Sequence, residues 1–146
     1  MPTRTSRTAW NGTLQEGSGQ VELSSSHVGT YEVSFPKRAA EHADGTTSPE
    51  ELIAASHSAC YAMQLSGVIG KAGGTPTSLD VTADVSLGKD EARGGFMLTG
   101  IKLTVRGEVE GLDADGFAKA AQTAKESCPI SKALTGVDIT LDAALD

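Results

Sequence analysis

Short runs of apolar residues, broken by Gly and Ser, open the chain. Arg7 to Leu14, Gln20 to Leu23 and Tyr31 to Phe35 read as three strands of a meander. Arg38 to Ser48 is polar, carries Gly45, and reads as an exposed loop. The pattern then changes. Ser48-Pro49-Glu50-Glu51 combines a capping residue, a Pro suited to the first helical position and a Glu at the third. The apolar-rich run Leu52 to Ile69 continues as a long helix until Gly73-Gly74-Thr75-Pro76 stops it. Beyond Pro76, Val81, Ala83, Val85 and Leu87 alternate with Thr82, Asp84 and Ser86, the period of a half-buried strand. Ile101, Leu103 and Val105 alternate likewise. Asp113 to Ser127 is Ala-rich and helical, with Asp113 and Asp115 near its positive end. Cys128-Pro129 breaks that helix and opens a short one, Ile130 to Leu134. Val137, Ile139 and Leu141 alternate in a closing strand. Strands in runs, rather than in strict alternation with helices, predict an α+β fold with antiparallel sheet.

The helix from Pro49 is apolar around much of its circumference. Ala54, Ala55, Ala59, Ala62 and Gly67 are small, so a second helix can approach closely. Such a helix needs cover on more than one side, and a partner chain is the simplest source of it. The chain has 146 residues, the size of one ordinary domain, and is 38% hydrophobic but only 4% aromatic. Its formal net charge of -7 disfavours nucleic-acid partners. Arg4 and Arg7 are followed by no apolar run, so neither a secretory signal nor a membrane span is visible and a cytoplasmic location is expected.

In a reducing compartment a pair of cysteines reads as transient, catalytic or merely buried, rather than as a staple. Cys60 lies inside the long helix, where the dipole helps a thiolate little, so a reactive Cys60 needs a cation from elsewhere. Arg38, in the loop before the helix, is the candidate, because it stays charged and offers several donors. Its bland alternative is a solvated surface charge. Cys128 precedes Pro129 and so sits at the N-cap of a new helix, where free N–H groups favour a thiolate. On physical grounds alone Cys128 ranks above Cys60 as the reactive thiol.

Glu51 occupies the capping-box position and reads as structural. Glu50 is then free for other work. Glu50 and Cys60 are ten positions apart, about 15 Å of helical rise and roughly 80° of rotation, so one straight helix cannot bring them together. If both serve one site, Glu50 comes most simply from a partner subunit. His57, one turn before Cys60, shares its face, with packing at least as good a reading as catalysis. His27 and His42 sit in polar turns. Three His and two Cys without paired spacing make no zinc site, and no Gly-rich phosphate loop is present. No metal or cofactor is expected.

The string Ser48-Pro49-Glu50-Glu51-Leu52-Ile53-Ala54-Ala55-Ser56-His57-Ser58-Ala59-Cys60 resembles the first motif of the OsmC/Ohr family of osmotically and peroxide-inducible proteins. Ala124-Lys125-Glu126-Ser127-Cys128-Pro129-Ile130-Ser131 resembles its second. Thr75-Pro76-Thr77-Ser78 and Val81 to Leu87 look like the OsmC branch. The likeness covers nearly the whole chain, and the loop from Arg38 to Pro49 is slightly long for the family.

The resemblance implies one OsmC-like domain, 1–146, forming an intertwined α+β homodimer with antiparallel sheet wrapped around long central helices. It implies a thiol peroxidase for organic hydroperoxides and hydrogen peroxide in stress defence. By likeness Cys60 is the peroxidatic cysteine and Cys128 the resolving one, Arg38 is the family's arginine, and Glu50 holds it. The implied partners are a hydroperoxide substrate and an external dithiol, such as a lipoyl-bearing protein. Two competing readings need no reactive thiol: a non-enzymatic dimer binding a small apolar ligand in the same cleft, and a structural stress protein with inert buried cysteines.

Overall fold

The computed structural model describes residues 1–146, which fall into two compact units, Met1–Leu52 and Ile53–Asp146. In the first, β1 (Arg7–Asn11), β2 (Ser18–Glu22) and β3 (Thr30–Val33) form an antiparallel meander in that order, as the apolar runs predict. The β1–β2 connection turns on Gly12, at φ 97°. A Cβ there would come 2.9 Å from the Cα of Gly17, so both the dihedral and the space call for glycine. A short helix not foreseen from the sequence, α1 (Phe35–Arg38), follows β3. Ser34 caps it by accepting from the Lys37 N–H, and Pro36 lies in its first turn. A single turn has no apolar period to reveal it, which is why Arg38 read as loop. From Ala39 the chain is irregular until Thr47, whose N–H donates to the Glu32 carbonyl at 3.1 Å.

The long helix is α2 (Pro49–Lys71). Its start is as expected, with the Glu51 N–H donating to Ser48 Oγ at 3.1 Å. The reciprocal half of the capping box differs: the Glu51 carboxylate accepts from the Thr47 hydroxyl. Its end is set by Gly73, at φ 91°, and by the Gly74 N–H donating to the Ile69 carbonyl at 3.0 Å.

In the second unit, β4 (Thr75–Lys89) and β5 (Phe96–Glu110) make a long antiparallel hairpin around the Asp90–Gly95 turn. The chain then runs through α3 (Ala114–Ser127), capped by Asp113, and α4 (Pro129–Ala133), and returns as β6 (Ile139–Leu145). The fold is α+β as expected, with one departure: β6 pairs parallel to β5, with Leu103 opposite Leu141. A parallel partner needs a crossover of a dozen or more residues, and α3 with α4 supplies it.

The core of this unit joins Tyr61, Leu65 and Ile69 of α2 to Leu103 and Val105 of β5 and to Phe117, Ala120, Ala121 and Ala124 of α3. The i, i+4 spacing of Tyr61, Leu65 and Ile69 gives α2 its buried edge. The Tyr61 hydroxyl donates to the Ala121 carbonyl at 2.9 Å, tying α2 to α3 inside that core. By length and composition α2 could also cross a membrane. Its buried edge, with His57 and Tyr61 both hydrogen-bonded inside the unit, fits a core helix instead. Away from that edge Ala55, Ser56, Ala59, Met63, Ser66 and Gly67 are exposed, a face of mostly small side chains.

Candidate active site

The packing of α2 against α3 determines where the two cysteines lie. Cys60 precedes Tyr61 on α2 and borders the core half-buried. Cys128 terminates α3 and caps α4, fully buried. Tyr61 to Ala121 and Gln64 to Ser127, at 2.9 Å each, hold the two helices in register. The result is a sulfur–sulfur distance of 3.3 Å between two free thiols that are 68 positions apart in the chain.

The two thiols are not equivalent. Burial pushes Cys60 up from the ordinary thiol value, and neighbouring Cys128 adds to this, against a partial offset from the Ile130 backbone N–H. For Cys128 burial alone would also raise the value. It is outweighed by the Ser131 backbone N–H, the Cys60 thiol, the Ser131 hydroxyl and the Ile130 N–H, which together bring Cys128 down. The α4 N–H groups face the sulfur without forming a well-aligned capping bond, so their effect is that of an open helix N-terminus. Within the chain, Cys128 is therefore the more acidic thiol, the order that N-cap reasoning from the sequence gives.

Arg38 and Glu50 form a second cluster, in the first unit. Arg38 Nε lies 3.1 Å from both carboxylate oxygens of Glu50, and Nη2 lies 2.7 Å from Oε1. Glu50 is 8% exposed, and the planar fork of arginine suits this two-pronged grip. Arg38 also borders an apolar hollow of about 240 Å³ whose walls include Trp10, Leu14, Val21, Phe35 and Leu52.

His57 is entirely buried, with Nε2 2.8 Å from Ser131 Oγ. Desolvation lowers its pKa, so the ring is neutral at ordinary pH. Ser131 is the residue that sequence reasoning passed over. It stands three positions after Cys128, the spacing of a capping box, and that spacing was the available signal. No group of three or more His, Cys, Asp or Glu comes together in a way that could hold a metal ion.

The chain matches the family model for OsmC-like protein over residues 42–142. It is 43% identical to peroxiredoxin OsmC of Escherichia coli K12 over 136 residues, 93% of this chain and 92% of that protein. It is 37% identical to organic hydroperoxide resistance protein OhrA of Bacillus subtilis over 126 residues, 84% of this chain and 85% of that one. Among solved structures, organic hydroperoxide resistance protein OhrB of Bacillus subtilis superposes with a TM-score of 0.74 at 31% identity, over 95% of this chain and 97% of that one. An organic hydroperoxide resistance protein of Elizabethkingia anophelis superposes with a TM-score of 0.80 at 28% identity, over 100% and 98%.

Proposed function

The chain belongs to the OsmC-like family, and we propose on that footing that it is a thiol-dependent peroxidase that reduces organic hydroperoxides, and hydrogen peroxide as well, in oxidative and osmotic stress defence. The observation that carries the reading is the pair of free thiols 3.3 Å apart, one half-buried and one fully buried. The peroxide meets the accessible sulfur. The Cys60 thiolate attacks the distal oxygen, the O–O bond breaks, the alkoxide takes a proton to leave as alcohol, and Cys60 becomes a sulfenic acid. Cys128 then attacks that sulfur, water is lost, and a Cys60–Cys128 disulfide forms. An external dithiol, such as a lipoyl-bearing protein, restores both thiols by exchange.

Cys60 is held up by burial, so the mechanism needs a cation to create the thiolate. That is the role proposed for Arg38, which also orients the peroxide, while Glu50 fixes the guanidinium in place. The apolar hollow beside Arg38 suits the organic part of a hydroperoxide. The whole chain, 1–146, acts as one domain within a cytoplasmic homodimer. The exposed small-residue face of α2 is suited to a helix of a second copy. The same hollow would serve a non-enzymatic binder of small apolar ligands, and one experiment separates the two. One equivalent of cumene hydroperoxide should consume both thiols stoichiometrically, and turnover should follow when dihydrolipoamide is supplied. Survival of both thiols would rule out the peroxidase.

A further inference from the structure

The proposed chemistry employs Cys60, Cys128, Arg38 and Glu50, and it leaves His57 and Ser131 without a part. Their arrangement is costly for mere packing. His57 is wholly buried, its Nε2 is committed to Ser131 Oγ at 2.8 Å, and its Nδ1 is buried with no partner at all. An apolar side chain would fill the same space without stranding a polar atom. Ser131, 6% exposed, touches His57 and stands in the first turn of α4, the helix that Cys128 caps, and its hydroxyl has one proton to give.

The two ways of placing that proton differ. If Ser131 donates to His57 Nε2, the ring proton moves to Nδ1, a buried N–H with no acceptor. If Ser131 donates to Cys128, His57 donates from Nε2 and Nδ1 keeps only an unshared lone pair. Orphaned N–H groups are rarer in protein interiors than under-used acceptors, so the second arrangement prevails. It makes His57 Nε2–H the donor to Ser131 Oγ and leaves the Ser131 proton to be directed at Cys128, three residues before it at the head of α4.

We infer that His57 and Ser131 are positioning residues that stabilise Cys128 as the thiolate expelled when the Cys60–Cys128 disulfide is reduced. The inference rests on the disulfide of the proposed function. Cys128 is fully buried and Cys60 is not, so an incoming thiolate reaches Cys60. It bonds to the Cys60 sulfur, the protein S–S bond breaks, and the electron pair departs on Cys128. The second thiol of the dithiol, deprotonated, then attacks the reductant sulfur of the mixed disulfide and expels Cys60. The dithiol is oxidised to its cyclic disulfide, and its two protons end on the two cysteines. A more stable leaving thiolate leaves faster, and the lowered pKa of Cys128 agrees with that role.

The test forms the disulfide with diamide, so that no peroxide is needed, and measures its reduction by dithiothreitol. Ser131→Ala should slow reduction by about tenfold, the loss of one hydrogen bond to a charged sulfur. Ser131→Thr, which keeps the hydroxyl, should restore most of the rate, and His57→Leu should behave as Ser131→Ala. In a Cys60→Ser background the ultraviolet titration of the Cys128 thiolate should move to higher pH on Ser131→Ala and return on Ser131→Thr. Should His57→Leu fail to fold, Ser131→Ala, in the first turn of a short helix, carries the test alone. Reduction of the Ser131→Ala disulfide at the parent rate, or failure of diamide to form the disulfide, overturns the inference. If instead the parent thiols resist peroxide while Ser131 still governs reduction, the peroxidase reading falls and the inference stands.

Discussion

Arg38 and Glu50 grip each other through two arginine nitrogens and both carboxylate oxygens, at 2.7 to 3.1 Å, within a single chain. The guanidinium plane is thereby fixed, and Nη1 takes no part in the pair. A lysine cannot copy this, because an ammonium is a point charge on a flexible stem.

Arg38→Ala should therefore slow oxidation of Cys60, and Arg38→Lys should recover little. The sign follows from Cys60 itself. Its thiol is already raised by burial, so losing a cation raises it further and the thiolate fraction at neutral pH falls. Each unit of upward shift costs about tenfold in rate well below the midpoint. Single-turnover oxidation measured against pH should show the midpoint displaced upward. An unchanged curve removes Arg38 from the site.

Glu50→Ala should weaken oxidation through a misplaced Arg38 and also destabilise the chain, by about 1–3 kcal/mol for a partly buried charged partner left alone. Because Glu50 and Cys60 are separated by about 15 Å of helical rise, a dimer with shared sites predicts complementation. Refolded mixtures of Cys60→Ser and Glu50→Ala chains should exceed the mean of the two parents. Mixtures that form heterodimers yet never exceed that mean would place the two residues in one chain's site, or leave Glu50 out of catalysis.

Cys60→Ser should abolish peroxide consumption. Cys128→Ser should permit one oxidation and leave a sulfenic acid on Cys60 that a dimedone-type probe can trap. Loss of the first oxidation in the Cys128 variant alone would reverse the two roles, and the greater acidity of Cys128 makes this comparison the decisive one.

The elements that carry these residues were legible where local chemistry announces them. Ser48-Pro49 marks the start of α2 and Asp113 caps α3, because caps and prolines act on their near neighbours. The alternation of Ile101, Leu103 and Val105 identified the buried face of β5. The parallel pairing of β6 was not legible, since periodicity shows that a strand has a buried face but not which neighbour it joins. The same limit hid Ser131. Its spacing from Cys128 is local and visible, but its partner His57 is 74 positions away, and that contact no short-range pattern marks.

His57 also makes stability depend on pH in a stated direction. The folded chain holds the ring neutral, its pKa lowered by burial from 6.5. Unfolding frees it to take a proton, so below pH 6.5 the unfolded state binds more protons and stability falls as pH drops toward the folded-state value. The slope for one proton is at most about 1.4 kcal/mol per pH unit. Denaturant midpoints measured from pH 7.5 down to 5 should decline, and His57→Gln should flatten that share of the decline. Parallel slopes for the two chains would show that His57 takes up its proton in the folded state.

The 3.3 Å gap between the sulfurs bears on damage as well as on turnover. A sulfenic acid survives only until something meets it, and a second peroxide would drive it to the irreversible sulfinic form. With Cys128 in the proposed resolving role, the competing thiol is already in van der Waals contact, so the race would be between a collision that depends on peroxide concentration and a condensation that does not. Under a burst of oxidant the protein would accumulate as its disulfide, a dormant and fully recoverable form, and the supply of reducing equivalents would set how fast it returns to service.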